Sequence, residues 1–373
     1  MKTITILALH LGYGGIEKYL ASLCKMLDKD YKIKIISTYK TTEYPAFNFS
    51  DRVEIEYLIN DKPRKEEMSE AFRFFQIKKG FNYLFRNIKM LKNKTKLNIE
   101  AIQKIDSDYI ITTRDFHNKL VGKYAKEGII KIASEHNHHN NNKKYINKVI
   151  NSIKGFDYFI LVSENLKKFY EEKINNVKCV WIPNVLDEIN DKPLKNINHN
   201  LISIGRLSSE KGFDELIDVI GILRRDIKDI HLDLIGGGKL HKALQSKINN
   251  LNLNNNITMH GFKSKEMIDE IIRNDSLYVM TSHTESFGLV LVEAMSYGLP
   301  CIAFDSAEGA KDLIKQKELL ITNRNKEEMA NKIKELLDNK KEMLKIGEEN
   351  YQNCQRYLLK NVKKDWIKLL EER

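Results

Sequence analysis

No apolar run in this 373-residue sequence approaches the roughly 20 residues that a membrane-spanning helix needs. The opening MKTITILALHLGYGG carries one lysine, and Gly12, Gly14 and Gly15 interrupt its apolar stretch, so it reads as a first strand and not as a signal peptide. A chain of this kind is expected in the cytoplasm or on a membrane surface. Cysteine is scarce as well. Cys24, Cys179, Cys301 and Cys354 lie far apart without metal-ligand spacing, and the first three sit among apolar residues, where reduced buried thiols are common. No repeat of 20–50 residues is visible, which argues against a solenoid or propeller.

What is present suits a soluble globular protein: 42% hydrophobic and 30% charged residues, in a chain about twice the usual domain length. Strand-like runs alternate with polar or amphipathic stretches. In the first half they are TITILAL, KIKIIST, VEIEYLI, DYIITT, IIKIASEH and YFILVS. A polar segment with Pro193 follows, and then LISIGRL, HLDLIGGG, NITMHGF, SLYVMTS, PCIAFD and LLIT. The alternation predicts two parallel α/β domains, residues 1–187 and 200–350, joined by a linker at 188–199. Beyond Lys326 the pattern is helical, and Trp366, Leu369 and Leu370 share a docking face in a final segment, residues 351–373.

The formal charge of +11 suits an anionic partner: a nucleotide, a phospholipid surface or a nucleic acid. Residues 62–104 hold twelve Lys or Arg against four Glu, so the positive charge is concentrated there. In the same segment Phe74, Ile77, Phe81, Leu84, Ile88 and Leu91 alternate spacings of three and four, which predicts one face of a long helix. Two readings follow: a helix docked on its own domain with a solvated basic face, or peripheral attachment to an anionic inner-membrane surface. The aromatics follow a helical stripe and do not form a stacking platform, so no nucleic acid is expected.

The strongest signal is SHTESFGLVLVEAMSYGLPCIAFD. Phe287, Gly288 and Leu289 are expected to open an amphipathic helix that Gly298 and Pro300 stop. Its N-terminus offers unpaired N–H groups and the positive end of a dipole, a site for a diphosphate. Glu285 and Glu293 bracket seven residues, so hydroxyls on either side of that diphosphate are within their compass. Upstream, SIGRLSSEKGFDELI places Arg206 after a strand and Lys211 in the turn before the next helix, where two cations can neutralise phosphates and a leaving group.

GRLSSEKGFDELI, LIGGG, HGF and TESFGLVLVEAMSYGLPCIAFD together resemble the ordered motifs of family 4 retaining glycosyltransferases, over most of residues 200–305. The resemblance implies a GT-B fold: two Rossmann-like domains facing across a cleft, with a C-terminal helix crossing back to the first. It implies that Arg206 and Lys211 contact the donor diphosphate, Glu285 the sugar hydroxyls and Glu293 the ribose. The backbone of Ser286, Phe287, Gly288 and Leu289 would hold phosphate and sugar, and Gly236, Gly237 and Phe262 would line the donor site. In the first half, LGYGGIEKYL places Gly14 and Gly15 where the family has a donor-facing loop, with Glu17 opening the helix. In IASEHNHHNNNKK, His136 matches a family histidine near the reaction centre, while His138 and His139 read as polar loop.

The expected reaction moves a hexose or N-acetylhexosamine from a nucleotide sugar, with UDP favoured, to a saccharide, polyol-phosphate or lipid-linked acceptor. No cofactor or metal is expected: the bunched histidines lack zinc spacing, and Asp106-Ser107-Asp108 reads as a helix cap and strand entry. The segment SAEGAKDLIKQKELLIT lacks the glycine-rich acceptor-side loop of many relatives and resembles the version in bacterial polysaccharide and wall-polymer enzymes. Three rivals remain. An oxidoreductase would want a spaced three-glycine fingerprint that Gly12, Gly14 and Gly15 do not give; a polyanion-binding protein would use residues 62–104; a GT-B phosphorylase or epimerase would differ only in products. No carboxylate pair is placed for hydrolase chemistry.

Overall fold

A computed structural model describes residues 1–190 and 192–372, apart from the side chains of Lys65 and Glu66. Asp191 of the expected linker, Arg373 of the expected terminal segment and those two side chains of the basic segment lie outside the described residues. The chain divides into two compact units, one of residues 1–162 and 167–181, the other of residues 163–166 and from 182 onward.

The first unit holds seven strands: β1 (Thr3–Ala8), β2 (Lys32–Tyr39), β3 (Val53–Ile59), β4 (Tyr109–Thr112), β5 (Ile130–Glu135), β6 (Tyr158–Leu161) and β7 (Lys178–Trp181). They form one parallel sheet in the order β3-β2-β1-β4-β5-β6-β7. The second unit holds β8 (Asn200–Ile204), β9 (His231–Ile235), β10 (Ile257–Gly261), β11 (Leu277–Met280), β12 (Cys301–Phe304) and β13 (Leu320–Ile321), parallel in the order β10-β9-β8-β11-β12-β13. Both are doubly wound Rossmann-like sheets. The two-domain α/β expectation holds, and of these strands only β7 was missed, its run KCVW opening on an exposed lysine and showing neither a long alternation nor an unbroken apolar run.

Strands β4, β6, β11 and β12 are buried along their whole length, which is why they read as unbroken apolar runs and not as alternating patterns. In each sheet the chain turns back between two neighbouring strands, β1 and β4 in the first and β8 and β11 in the second. At such switch points the carboxyl ends of the strands open a crevice, and every proposed site residue except Glu293, which lies inside a helix, comes from the segment after the carboxyl end of a strand. Asp108 lies at the opposite end, where its carboxylate accepts from Thr3 N and Oγ1 at 2.7 and 2.8 Å and braces the start of β1. A cavity of about 930 Å³ also opens at that end, lined by Thr3, Lys32, Arg52 and Ser107 among others, remote from the crevice that parallel sheets use for ligands. All four cysteines are free and buried.

The apolar stripe of the basic segment departs from its first expectation. The structure breaks it into two helices, Lys65–Arg73 and Ile77–Lys104, and the side chains that the long helix buries are Asn87, Met90, Asn98 and Ile102 with Gly80. Phe74, Ile77, Phe81, Ile88 and Leu91 are exposed. What anchors this helix is polar: Thr38 Oγ1 on β2 donates to Asn98 Oδ1 at 3.1 Å and lies 3.0 Å from His117 Nε2, while Lys94 lies 3.5 Å above the Phe116 ring.

Burial, helped by Lys94 and Arg114, pushes the His117 imidazole down to about 3 from 6.5. As pH falls, the unfolded chain takes up this proton first. The stability that a neutral His117 contributes is therefore whole above about pH 6.5 and is lost progressively toward pH 3. His117→Asn is expected to flatten the pH dependence of urea-unfolding stability between pH 6.5 and 4 by about 1.4 kcal/mol per pH unit; an unchanged slope would mean that the ring is protonated in the fold.

Candidate active site

Two loops of the second unit are brought together by one close backbone approach. After β8, the 3₁₀ turn Ser209–Lys211 ends at Gly212, whose φ of 62° lies in the left-handed region. A Cβ there would stand 2.2 Å from the Thr281 carbonyl and 2.8 Å from Arg324 Nη2. Thr281 Oγ1 donates to Lys211 O at 3.1 Å, and His283 N donates to Glu210 O at 2.8 Å. The loop after β8 and the loop after β11 are thus laced together. The consequence is an ion pair of 2.6 Å between Lys211 Nζ and Glu285 Oε2, both about a fifth exposed.

Glu285 is held by its backbone, its carbonyl accepting from Gly309 N at 2.8 Å. Three residues on, Gly288 takes a left-handed conformation as N-cap of helix Leu289–Ser296, and as a glycine it brings no side chain to cap that helix. The N–H groups of Leu289 and Val290 therefore point out of the helix without intrahelical acceptors, while Leu291 N donates to Gly288 O at 2.9 Å; they lie close to Glu285, whose Cγ would lie 3.5 Å from a Cβ at Gly288. The sequence predicts an amphipathic helix here. The structure instead buries Leu291, Val292, Ala294, Met295 and Ser296, with Glu293 half-buried, so the helix is apolar nearly all round. Phe287 turns its ring into the core, 5.4 Å from Tyr357, and only its backbone is available to a ligand.

Arg206 follows β8 and is exposed; its carbonyl accepts from Ser208 N at 2.8 Å, and its guanidinium has no hydrogen-bond or ion-pair partner among the described residues. It borders a cavity of about 580 Å³ lined also by Gly205, Gly236, Gly237, Gly238, Lys239 and Phe262. Phe262 is 83% exposed, and its ring passes so close to Gly237 that a Cβ there would be 2.3 Å away. Arg206, the glycines and Phe262 therefore line one cavity, while Lys211, Glu285 and the helix N-terminus lie together along the neighbouring strand ends.

In the first unit, His136 follows β5. Its ring is desolvated and packs 4.2 Å from Tyr19, whose hydroxyl lies 3.2 Å from Ser134 Oγ. Burial, reinforced by Arg114, drives its pKa down to about 3, so the imidazole is neutral at physiological pH. The loop after it is held by Glu135, whose Oε1 accepts from His136 N and Asn137 N at 2.9 and 2.8 Å and whose Oε2 accepts from Tyr145 at 2.9 Å. His138 and His139 stack on each other at 4.4 Å, and His139 stacks on Phe169 at 3.7 Å; aromatic packing bunches these rings. At the switch point Gly14 and Gly15 begin helix Gly15–Leu27, and Glu17, almost fully buried, lies 3.2 Å from Arg114 and 3.5 Å from His10 Nδ1.

Several residues were not read from the sequence. Arg114 and His10 pair with Glu17 across elements, and no local motif marks them. Arg324, with φ of 52°, donates to Thr281 O at 2.7 Å, Ser282 O at 3.1 Å, Ser306 Oγ at 2.7 Å and the Glu215 carboxylate, and lies 4.5 Å over the Phe304 ring. Gly212→Ala is expected to lower the unfolding free energy in urea by at least about 1 kcal/mol, because it forces a side chain into a left-handed, occupied position. Glu285→Ala, which removes only a partly solvated pair, should cost no more than about 1 kcal/mol. Equal losses would show that the Gly212 contact is slack.

Residues 186–353 match the family model described as glycosyl transferases group 1. An uncharacterized glycosyltransferase of Haemophilus influenzae is 24% identical over 99% of this chain and 100% of its own length. An exopolysaccharide phosphotransferase of Streptomyces coelicolor is 24% identical over 96% of this chain, which spans 39% of that relative's length. Among solved structures, a Staphylococcus aureus TarM mutant in complex with fondaparinux, alpha-GlcNAc-glycerol and UDP superposes with a TM-score of 0.77 at 16% identity, covering 100% of both chains. The segment that matches the family model contains Arg206, Lys211, Glu285 and helix Leu289–Ser296 with Glu293 inside it, and the chain accordingly has the GT-B fold with a group 1 glycosyl transferase domain in its second unit.

Proposed function

We propose that the chain is a family 4, retaining enzyme. It moves a hexose or N-acetylhexosamine from a UDP-sugar to a saccharide, polyol-phosphate or lipid-linked acceptor in the synthesis of a cell-surface polymer. The observation that carries this reading is the uncapped N-terminus of helix Leu289–Ser296 beside the Lys211–Glu285 pair. Such an end binds phosphate through its free N–H groups and its dipole. A bound diphosphate would share Lys211 with Glu285 and draw in the exposed Arg206, and both cations would offset the charge that grows on the leaving nucleotide.

The base and ribose are assigned to the cavity of Gly236, Gly237 and Phe262, with the Phe262 ring as a stacking surface and Glu293 on the ribose hydroxyls. Glu285 holds the sugar hydroxyls, and the backbone of Ser286 through Leu289 holds phosphate and sugar. His136, neutral and desolvated, suits a hydrogen bond to a donor-sugar hydroxyl; at a pKa of about 3 it is too weak a base to take the acceptor proton. The Gly14–Gly15 turn is assigned to the same donor.

The acceptor oxygen bonds to the anomeric carbon on the face from which the phosphate departs, through an oxocarbenium-like state. The acceptor's proton passes to the leaving phosphate oxygen. The solved TarM complex, with its alpha-linked GlcNAc-glycerol and UDP, supports both the donor class and retention, and the exopolysaccharide relative supports a polymer context. Among the described residues no helix is long and apolar enough to cross a membrane; peripheral attachment to the inner face of the plasma membrane through residues 62–104 is part of the same proposal.

A screen of UDP-, GDP- and ADP-sugars without added metal tests this reading by nucleotide release and by the anomeric proton coupling of the product. UDP release with an alpha-linked product from an alpha-linked donor is expected, and Glu285→Ala should cut turnover about 100-fold or more. Inverted product, or release of sugar 1-phosphate, would overturn it.

A further inference from the structure

The turn between the two helices of the basic segment presents aromatic residues outward at a conformational cost. Phe74, Phe75 and Gln76 connect helix Lys65–Arg73 to helix Ile77–Lys104, and Phe75 adopts φ 55°, a left-handed conformation that is uncommon for a bulky residue. Three backbone bonds fix this corner: Phe74 N to Glu70 O, Phe75 N to Phe72 O and Gln76 N to Ala71 O. The outcome is a side chain at Phe75 that is 87% exposed, next to Phe74 at 67%.

The long helix continues the same surface. At 3.6 residues per turn, Ile77, Phe81, Leu84, Phe85, Ile88 and Leu91 fall within an arc of about 120° that adjoins the seam buried through Gly80, Asn87 and Met90. Phe85 is 67% exposed and the others of this arc are half-buried or exposed. Phe72 packs edge-on against Phe81 at 5.6 Å, which stiffens the corner.

The charge around this face has one sign. Residues 77–94 contain six Lys or Arg and no acidic residue. Arg86 pairs with Asp61, and Lys94 turns toward Phe116. Lys78, Lys79, Lys89 and Lys92 are exposed, and on a helical projection Lys78 and Lys89 border the arc on its solvent side while Lys92 falls within it, past Ile88 and Leu91 along the helix. A second copy of the chain is a poor occupant, because a self-complementary contact would set these lysines against one another. An anionic bilayer satisfies both features: headgroups take the lysines, and the boundary between headgroups and acyl chains takes the aromatic and aliphatic side chains.

We propose that Phe74, Phe75, Phe81, Phe85 and Ile88, with Lys78, Lys89 and Lys92 beside them, insert shallowly into an anionic lipid surface. This deepens the peripheral placement proposed above and rests on none of the donor chemistry.

Flotation of the full-length protein with vesicles tests it, using phosphatidylcholine alone and a 7:3 mixture of phosphatidylcholine with phosphatidylglycerol as the probes. The wild-type protein is expected to float with the anionic vesicles. Phe75→Ser with Phe85→Ser should weaken partitioning about tenfold or more. Lys78→Gln, Lys89→Gln and Lys92→Gln should weaken it about fivefold for each charge removed, on the anionic vesicles only. Protein that stays soluble with both vesicle types overturns the proposal, as does unchanged flotation of the Phe75/Phe85 variant. Light scattering that shows an oligomer lost on the same Phe substitutions, without vesicle binding, would assign the face to a second copy instead. Soluble UDP-sugar turnover should be unaltered in every variant, so its loss or absence bears on the transferase reading and not on this surface.

Discussion

The donor site proposed for the second unit depends on how closely two strand-end loops approach each other. Because Gly212 has no side chain, the turn after β8 lies against the Thr281 carbonyl, and only in that arrangement does Lys211 reach Glu285 at 2.6 Å. Arg324 fixes the approach from below by donating to two carbonyls of the β11 loop and to Glu215 at the start of the helix after Gly212. The ion pair itself is partly solvated and worth little to stability. Its value is positional: a cation and a carboxylate are held ready at the mouth of an uncapped helix.

The second sheet explains why so many separate motifs converge. Its switch point lies between β8 and β11, and the loops after β8, β9, β10 and β11 supply, in order, Arg206 with Lys211, the glycine run, Phe262, and Glu285 with the helix N-terminus. Lys211 and Glu285, 74 positions apart in sequence, become neighbours because parallel strands end on the same edge. The first sheet repeats the geometry with a different chemistry. A buried Glu17 is satisfied by Arg114, and a desolvated His136 is kept neutral.

Most of this was legible in the sequence because it is local. Strand runs bounded by glycine, and a helix that opens at Gly288 and stops at Gly298, leave a periodic record within ten or twenty residues. Arg324 and Arg114 left none, since each acts on partners about a hundred residues away or on several loops at once, and one arginine in a polar loop has no pattern. The stripe from Phe74 to Leu91 shows the converse limit. Periodicity identified the helix but not what its apolar side meets, because the same spacing serves a core and a lipid surface. The polar network of Thr38, Asn98 and His117, not the apolar stripe, turned out to anchor that helix.

The most direct test of the donor site is amide hydrogen exchange with and without UDP. Binding as described should slow exchange at Gly288, Leu289 and Val290, whose N–H groups lack intrahelical acceptors, and at the loops Arg206–Lys211 and Gly236–Gly238, leaving the amino-terminal edges of both sheets unchanged. UDP that binds without protecting the start of helix Leu289–Ser296 would contradict the account, because the diphosphate would then be held elsewhere.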